Sequence, residues 1–314
     1  MSSLPLLEKG DLNHVYQRWE AHFTDIQLKH YFKFLRDDLV TQITGLLDQG
    51  KTPLVWGPFR SGKTSLAMYL GKRLELEGRN VTYLDPVDED ISEEDSFLAK
   101  YDQTDLERRA SQCNILLLDE LYYGAESSWP IFMALAQQAQ RKNKGLVIFM
   151  HSNYFYEDPW HSKSERKDQL FSLQSIENIY LFSYSSEQEK EILGALGADP
   201  QQTQWCLENL QSNRQIYNRV MHTVFDKGQD LADVLSEFDT KGTWFGKYYW
   251  LQDNARNKEL VNDYMQGRRL TKDELDRLVF FGIASRKQDK HGNIKDHIPT
   301  PFIRHVEIWS KEHA

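Results

Sequence analysis

The sequence predicts an α/β fold in which a five-stranded parallel sheet is covered by helices, followed by a helical region and a small mixed tail. Three observations predict it. After Gly50, short apolar runs alternate with longer polar stretches of helical periodicity, which is typical of parallel strands buried between helices. From Ser186 onward, apolar side chains recur at helical spacing. Near the carboxyl terminus, two strand-like segments flank a run of turn residues.

The five predicted strands are short runs rich in apolar and β-branched side chains. They are Leu54–Trp56, Val81–Leu84, Ile115–Leu118, Leu146–Met150 and Ile179–Phe182. Helices are predicted between them at Lys63–Glu77, Ser96–Arg109 and Trp129–Lys142.

The chain is expected to divide into four segments. These are a helical lead-in over residues 1–50, a core of sheet and helices over 51–185, a helical lid over 186–240 and a winged-helix-like domain over 241–314. The lid is expected to begin at a capping box formed by Ser186 and Glu189.

The tail has the element order of a winged helix. A helix is expected over Lys258–Met265, and a second begins at the capping-box pair Thr271 and Glu274. Strands are expected over Val279–Arg286 and Ile294–Ile298, joined by a tight turn.

Composition excludes several classes of protein. With 314 residues, 40% of them hydrophobic, the chain can bury a sizeable core. No apolar run approaches the roughly 20 residues that cross a bilayer, and the first eight residues lack a secretory-signal pattern, so we expect a cytoplasmic protein with no membrane partner. Cys113 and Cys206 are far apart and are expected to be buried, reduced thiols.

Charge is distributed unevenly along the chain. The net charge is -9, yet residues 244–314 contain 13 Lys and Arg against 10 Asp and Glu. The acidic remainder argues against tight nonspecific binding of nucleic acid by the whole protein, whereas the basic tail leaves a local contact open.

The segment Gly57–Thr64 has the spacing of a phosphate-binding loop, G-x-x-x-x-G-K-[ST], between a predicted strand and a predicted helix. Its backbone N–H groups and the positive end of the helix would hold phosphate, with Lys63 at the β and γ phosphates and Thr64 on magnesium. The residues expected around the nucleotide are Gly57, Pro58, Phe59, Arg60, Ser61, Gly62, Lys63, Thr64 and Ser65.

Two carboxylates follow the third predicted strand. We expect Asp119 to ligate Mg²⁺, directly or through water, and Glu120 to orient and deprotonate the attacking water. The loop and this acidic strand end together predict ATP binding and hydrolysis with Mg²⁺.

On these motifs the chain resembles ATPases of the AAA+ class, especially the prokaryotic branch near the origin-recognition and STAND ATPases, over roughly residues 30–310. The resemblance implies that a polar residue after the fourth strand senses the γ-phosphate, which here would be Asn153, with Ser152 second. It implies that Ser212–Arg219 corresponds to the lid motif of that class and that Arg214 serves as the lid sensor. An arginine finger expected near Ser172 is missing, and Arg166 is the nearest candidate.

The sequence argues to different degrees against two other classes of phosphate-loop protein. A small GTPase needs an N-K-x-D base reader, and the segment Asn143–Leu146 lacks the Asp. A small-molecule kinase remains open, although such enzymes seldom have both the acidic strand end and a long helical extension.

Two functions are compatible with an ATPase of this sequence. As a DNA-associated loader or remodelling ATPase, the chain would contact DNA through basic residues in and around the wing. These are Arg268, Arg269, Arg286, Lys287, Lys290, His291 and Lys295. As a slow nucleotide-dependent switch, it would bind a protein partner or itself, because Asp273, Glu274 and Asp276 on the second tail helix would repel phosphate.

Overall fold

The computed structural model describes residues 37–57, 61–84, 111–119, 129–151, 173–181, 183–240, 255–280, 283–288, 294–303 and 306. These residues fall into two compact units. The first contains the described residues up to Leu181 except Ser61 and Gly62, and the second contains Ser61, Gly62 and the described residues from Ser183 onward.

The first unit alternates helices and strands. Its elements are α1 Asp37–Asp48, β1 Thr52–Gly57, α2 Lys63–Leu76, β2 Val81–Leu84, β3 Ile115–Leu118, α3 Trp129–Arg141, β4 Gly145–His151 and β5 Ile176–Tyr180. All five strands are parallel, and their spatial order is β2-β3-β4-β1-β5. The predicted five-stranded parallel α/β sheet is therefore confirmed, and β4 lies between β1 and β3.

Each face of the sheet is covered by helices because alternate side chains of a strand point to opposite faces. On one face, Ile115 and Leu117 of β3 pack with α1 and α2. On the other face, Leu116 and Leu118 pack with α3. All four side chains are buried, which explains why β3 is an unbroken apolar run.

The second unit begins with consecutive helices. They are α4 Ser186–Ala195, α5 Pro200–Asn209, α6 Arg214–Met221 with a π-helical extension over His222–Asp226, and α7 Leu231–Thr240. Capping boxes start α4 at Ser185 with Gln188 and α5 at Asp199 with Gln202. The capping box predicted at Ser186 and Glu189 is thus one residue too late.

The last described elements are two helices and a hairpin. They are α8 Ala255–Met265, α9 Lys272–Phe280, β6 Ser285–Gln288 and β7 Ile294–His297, with β6 and β7 antiparallel. The capping box predicted for α9 is present, because Thr271 Oγ1 accepts from the Glu274 N–H at 3.3 Å and the Glu274 carboxylate accepts from the Thr271 N–H at 2.9 Å.

Several other strand and helix bounds differ from the sequence predictions. β5 begins and ends earlier than the predicted Ile179–Phe182, and α9 continues to Phe280, so that no strand begins at Val279. The helix predicted over Ser96–Arg109 and the proposed tail turn over 289–293 lie outside the described residues. None of the helices in the described ranges is long and apolar enough to cross a membrane.

Candidate phosphate and metal site

Gly62, just before α2, has a backbone conformation that glycine allows. β1 ends at the buried Gly57, and Gly62 has φ +87, in the left-handed region that costs a side chain about 1–2 kcal/mol. This conformation immediately precedes the first residue of α2. Of the predicted loop residues, Pro58, Phe59 and Arg60 lie outside the described residues.

The first turn of α2 brings three predicted phosphate-site residues together. Lys63 is buried, and its Nζ lies 3.5 Å from the Gly57 carbonyl oxygen, so the ammonium is turned back toward the end of β1. Thr64 is half-buried and Ser65 is buried. The first backbone N–H groups of a helix have no partner within the helix, and they carry its positive dipole end. This end of α2 is therefore suited to an anion.

Asp119 is the acidic residue placed at the end of β3. Its side chain is fully buried, and its backbone N–H donates to the Leu84 oxygen of β2 at 2.9 Å. Its Oδ2 accepts a hydrogen bond of 2.8 Å from the Tyr83 hydroxyl. A buried carboxylate with hydrogen-bond support is held in one orientation, as a metal ligand needs to be.

Two features bring Asp119 and the start of α2 to the same face of the sheet. Tyr83 belongs to the hydrophobic cluster that also contains Leu66 and Leu70 of α2. Because Tyr83 contacts Asp119, that carboxylate lies on the face covered by α2. The hydroxyl of Thr64 and the carboxylate of Asp119 are hard oxygen donors of the type that Mg²⁺ prefers, so this donor set fits the ion.

Several predicted residues cannot be located. Glu120, the proposed base, and the two sensor candidates Asn153 and Ser152 lie outside the described residues, as does Arg166. The strand that precedes Asn153 is β4, which lies between β1 and β3.

Arg214, the predicted lid sensor, is the first residue of α6. Its guanidinium carbon lies 4.1 Å from the centroid of the Tyr184 ring, a cation-π contact. The Tyr184 hydroxyl donates to Asn218 Oδ1 at 2.8 Å, which fixes the ring against α6. Asn213 precedes α6, and its Oδ1 accepts from the Ile216 N–H at 3.1 Å. Arg214 is thus largely buried within the second unit.

Two arginines predicted to be available for DNA are engaged within the protein. Arg286 is paired with Asp276 and Asp296, and Arg268 is paired with Glu274 and Asp263. Of the acids expected to repel phosphate, Glu274 and Asp276 are these same partners. The charges of both signs therefore offset one another inside the tail.

Tyr83 was missed by sequence reasoning. An aromatic residue in a buried strand is typical of a hydrophobic core. The spacing of the phosphate-loop and acidic motifs does not indicate that Tyr83 contacts the site. Only the register of β2 against β3 identifies it, since Tyr83 lies opposite Leu117 and Asp119 is two residues further on.

No family model matches the chain, and no curated protein matches it. Solved structures similar to it include replication initiator DnaA bound to AMPPCP and single-stranded DNA, at 14% identity, 86% coverage of both chains and a TM-score of 0.46. AMPPCP-bound DnaA from Aquifex aeolicus is 15% identical, with 87% of this chain and 86% of that chain covered and a TM-score of 0.45. A variant of RuvB from Thermotoga maritima is 12% identical, with 87% of this chain and 93% of that chain covered and a TM-score of 0.45.

The fold class rests on the chain's own strand order and on the helices that cover both faces of the sheet. Five parallel strands in the order β2-β3-β4-β1-β5, with helices on both faces, form the first unit. The chain thus has the α/β fold, with a five-stranded parallel sheet, that its resemblance to AAA+ class P-loop ATPases implies.

Proposed function

We propose that the protein is an AAA+ type ATPase that hydrolyses ATP to ADP and phosphate. The observation that carries this proposal is the placement of the start of α2 and of the buried Asp119 carboxylate on the same face of one sheet. An anion-binding helix terminus and an oxygen ligand for a cation are the two parts that a nucleotide with its metal requires.

The proposed roles follow from the chemistry of each side chain. Backbone N–H groups of the loop and Lys63 hold the phosphates, and Thr64 and Asp119 would hold Mg²⁺. When bound, Mg²⁺ neutralises charge that develops on the phosphate oxygens. Glu120 accepts a proton from water as it attacks the γ-phosphorus, and the leaving ADP oxygen departs from the opposite side. Asn153 donates a hydrogen bond to the γ-phosphate.

The test is Glu120→Gln, which keeps the size of the side chain and removes its basicity. Phosphate release is expected to fall by about 10²- to 10⁴-fold, while the affinity for a fluorescent ATP analogue stays within about 3-fold of the original. Glu77→Gln, an exposed site of the same unit, is the matched control and should hydrolyse ATP normally. Normal turnover in Glu120→Gln would remove this residue from the mechanism.

For the output, we propose that nucleotide state moves the lid and the winged-helix-like tail relative to the core. A cytoplasmic loader or remodelling ATPase that associates with DNA is the first candidate. The second is a slow switch that regulates binding of a protein partner or self-assembly. Pairing of the largely buried Arg286 with Asp276 and Asp296 favours the switch, because it removes this cation from the set available to DNA phosphates.

Turnover with and without DNA discriminates the two candidates. A DNA-associated ATPase is expected to hydrolyse ATP faster when duplex or single-stranded DNA is added, and its DNA affinity should fall steeply with salt. A switch is expected to keep its basal rate and to change mass in solution, or its affinity for a protein, with nucleotide.

A further inference from the structure

Tyr83 and Asp119 form a pair that links two neighbouring strands at the candidate metal site. The phenol oxygen donates to Asp119 Oδ2 at 2.8 Å, and both residues are buried. A hydrogen bond to a charged acceptor at this distance is among the stronger ones in proteins. The contact therefore has the strength to decide how the carboxylate is oriented.

The register of the sheet explains why this tyrosine reaches this carboxylate. Tyr83 lies opposite Leu117, and Leu84 lies opposite Leu118. Asp119 is therefore the diagonal neighbour of Tyr83 on the same face, at a spacing that only a long side chain can bridge. The Asp119 N–H also donates to the Leu84 oxygen, so β2 holds this residue through both backbone and side chain.

A carboxylate can accept this hydrogen bond and ligate a metal ion at the same time. A carboxylate has about four lone-pair sites, and the phenol occupies one of them on Oδ2. A metal ion or its water would then meet a carboxylate whose plane the phenol fixes. This is how outer-shell partners of ligating carboxylates act at metal sites in general.

We propose that Tyr83 is a positioning residue that presents the Asp119 carboxylate to the Mg²⁺ of bound ATP. This inference rests on the proposed function. It assigns to Tyr83 no contact with nucleotide and no proton transfer. Tyr83 instead increases the gain in nucleotide affinity that Mg²⁺ produces, and it lowers the Mg²⁺ concentration that hydrolysis requires.

The test is Tyr83→Phe, which removes the hydroxyl and keeps the ring that packs in the core. The affinity of the full chain for a fluorescent ATP analogue is measured in excess EDTA and in saturating Mg²⁺. The ratio of the two affinities is expected to fall by about 3- to 10-fold in the variant, with the affinity in EDTA unchanged. The Mg²⁺ concentration for half-maximal hydrolysis should rise similarly, and excess Mg²⁺ should restore kcat.

Two further variants separate positioning from packing. Tyr69→Phe removes a hydroxyl from a residue packed against the same cluster, outside the site, and should keep the original Mg²⁺ ratio. In an Asp119→Asn background, adding Tyr83→Phe should change the ratio no further, because the carboxylate on which it acts is gone.

The outcomes distinguish this inference from the proposed function. An unchanged Mg²⁺ ratio in Tyr83→Phe, or an equal loss of affinity in EDTA and in Mg²⁺, overturns the role of Tyr83 alone. Nucleotide affinity of the original protein that does not depend on Mg²⁺ overturns the proposed metal site, and the inference with it.

Discussion

The guanidinium of Arg286 holds the Asp296 carboxylate through two hydrogen bonds, from Nε to Oδ1 at 2.8 Å and from Nη2 to Oδ2 at 2.7 Å. Its Nη2 also contacts the Asp276 carboxylate on α9, and its backbone oxygen accepts from the Ser183 N–H at 3.0 Å. The three charged side chains are 14%, 6% and 10% exposed, so solvent screens them little. Arg286 thus connects β6, β7, α9 and the segment before α4.

Arg286→Met is expected to destabilise the protein by about 3 kcal/mol, because it leaves two buried carboxylates without their cation. Urea unfolding of the full chain measures this change. Arg269→Met is the control, since Arg269 is exposed, and it should change stability by less than about 0.5 kcal/mol. Equal stability of the two variants would contradict a structural role for the Arg286 cluster.

Gly62→Ala is expected to weaken ATP binding by about 5- to 30-fold. A side chain at φ +87 costs about 1–2 kcal/mol, and the backbone at this position avoids that cost only by adopting another conformation. A fluorescent ATP analogue measures the affinity.

The matched control is Gly78→Ala, in the turn after α2. Gly78 has φ +80, and a Cβ there meets no atom within 4 Å, so the variant carries the same strain without a clash. It should lower stability by a similar amount and leave ATP affinity unchanged. If both variants bind ATP equally well, the shape of the backbone at Gly62 is not what binds phosphate.

Glu274 gives the tail an acid-sensitive contribution to stability. Hydrogen bonds from Arg268 and from the Thr271 N–H lower its pKa from 4.5 to about 2. A depressed pKa means that the ionised form stabilises the fold, so this stabilisation is complete above pH 4.5 and is lost as the pH falls toward 2. The difference in Tm between the original protein and Glu274→Gln should shrink over that range, measured by thermal unfolding. A Tm difference that does not change with pH would contradict a stabilising role for the ionised Glu274 carboxylate.

Both thiols are expected to be inert in the folded protein. Cys113 and Cys206 are buried, burial raises the pKa of Cys113, and burial with the nearby Glu189 carboxylate raises the pKa of Cys206 to about 12. Little thiolate therefore exists at pH 8. A thiol reagent should modify fewer than about 0.1 groups per chain without denaturant and both cysteines in guanidinium chloride. Rapid reaction of the native protein would contradict this burial.

Hydrophobic pattern alone predicts the bounds of β2 and β3 and misplaces β5. β2 and β3 have the bounds that the sequence predicts, because every residue of β3 is buried and the run ends where polarity begins. β5 is an edge strand whose residues Ile176–Asn178 are half-buried or exposed, so its first half lacks an apolar signal. Its pairing with β1 defines it, and pairing is not a local property of sequence.

Two other errors arise from local patterns that fit more than one structure. Ser185 with Gln188 and Ser186 with Glu189 both match a capping box, and burial of Glu189 within the second unit favours the first pair. The apolar run after Leu278 reads as a strand, yet Leu278 and Val279 are buried as successive positions of a helix.

The residues of the candidate site and of the tail also differ in whether local sequence predicts them. Its phosphate loop and Asp119 follow from motif spacing, since chemistry restricts which residue types can serve there. Tyr83 and the Arg286 cluster depend on residues far apart in sequence that meet only when the sheet and tail have formed.

The proposed function depends on one claim, that the start of α2 binds the phosphates of a nucleotide, and Lys63→Ala removes the ammonium group of that site. Equilibrium titration with ATP and Mg²⁺ should show an affinity lower by about 10- to 100-fold, since a charge-assisted contact to phosphate is lost, with phosphate release falling to background. Lys142→Ala, at an exposed position after α3, should bind and hydrolyse ATP as the original protein does. Unchanged affinity and turnover in Lys63→Ala would contradict the claim and, with it, the proposed function.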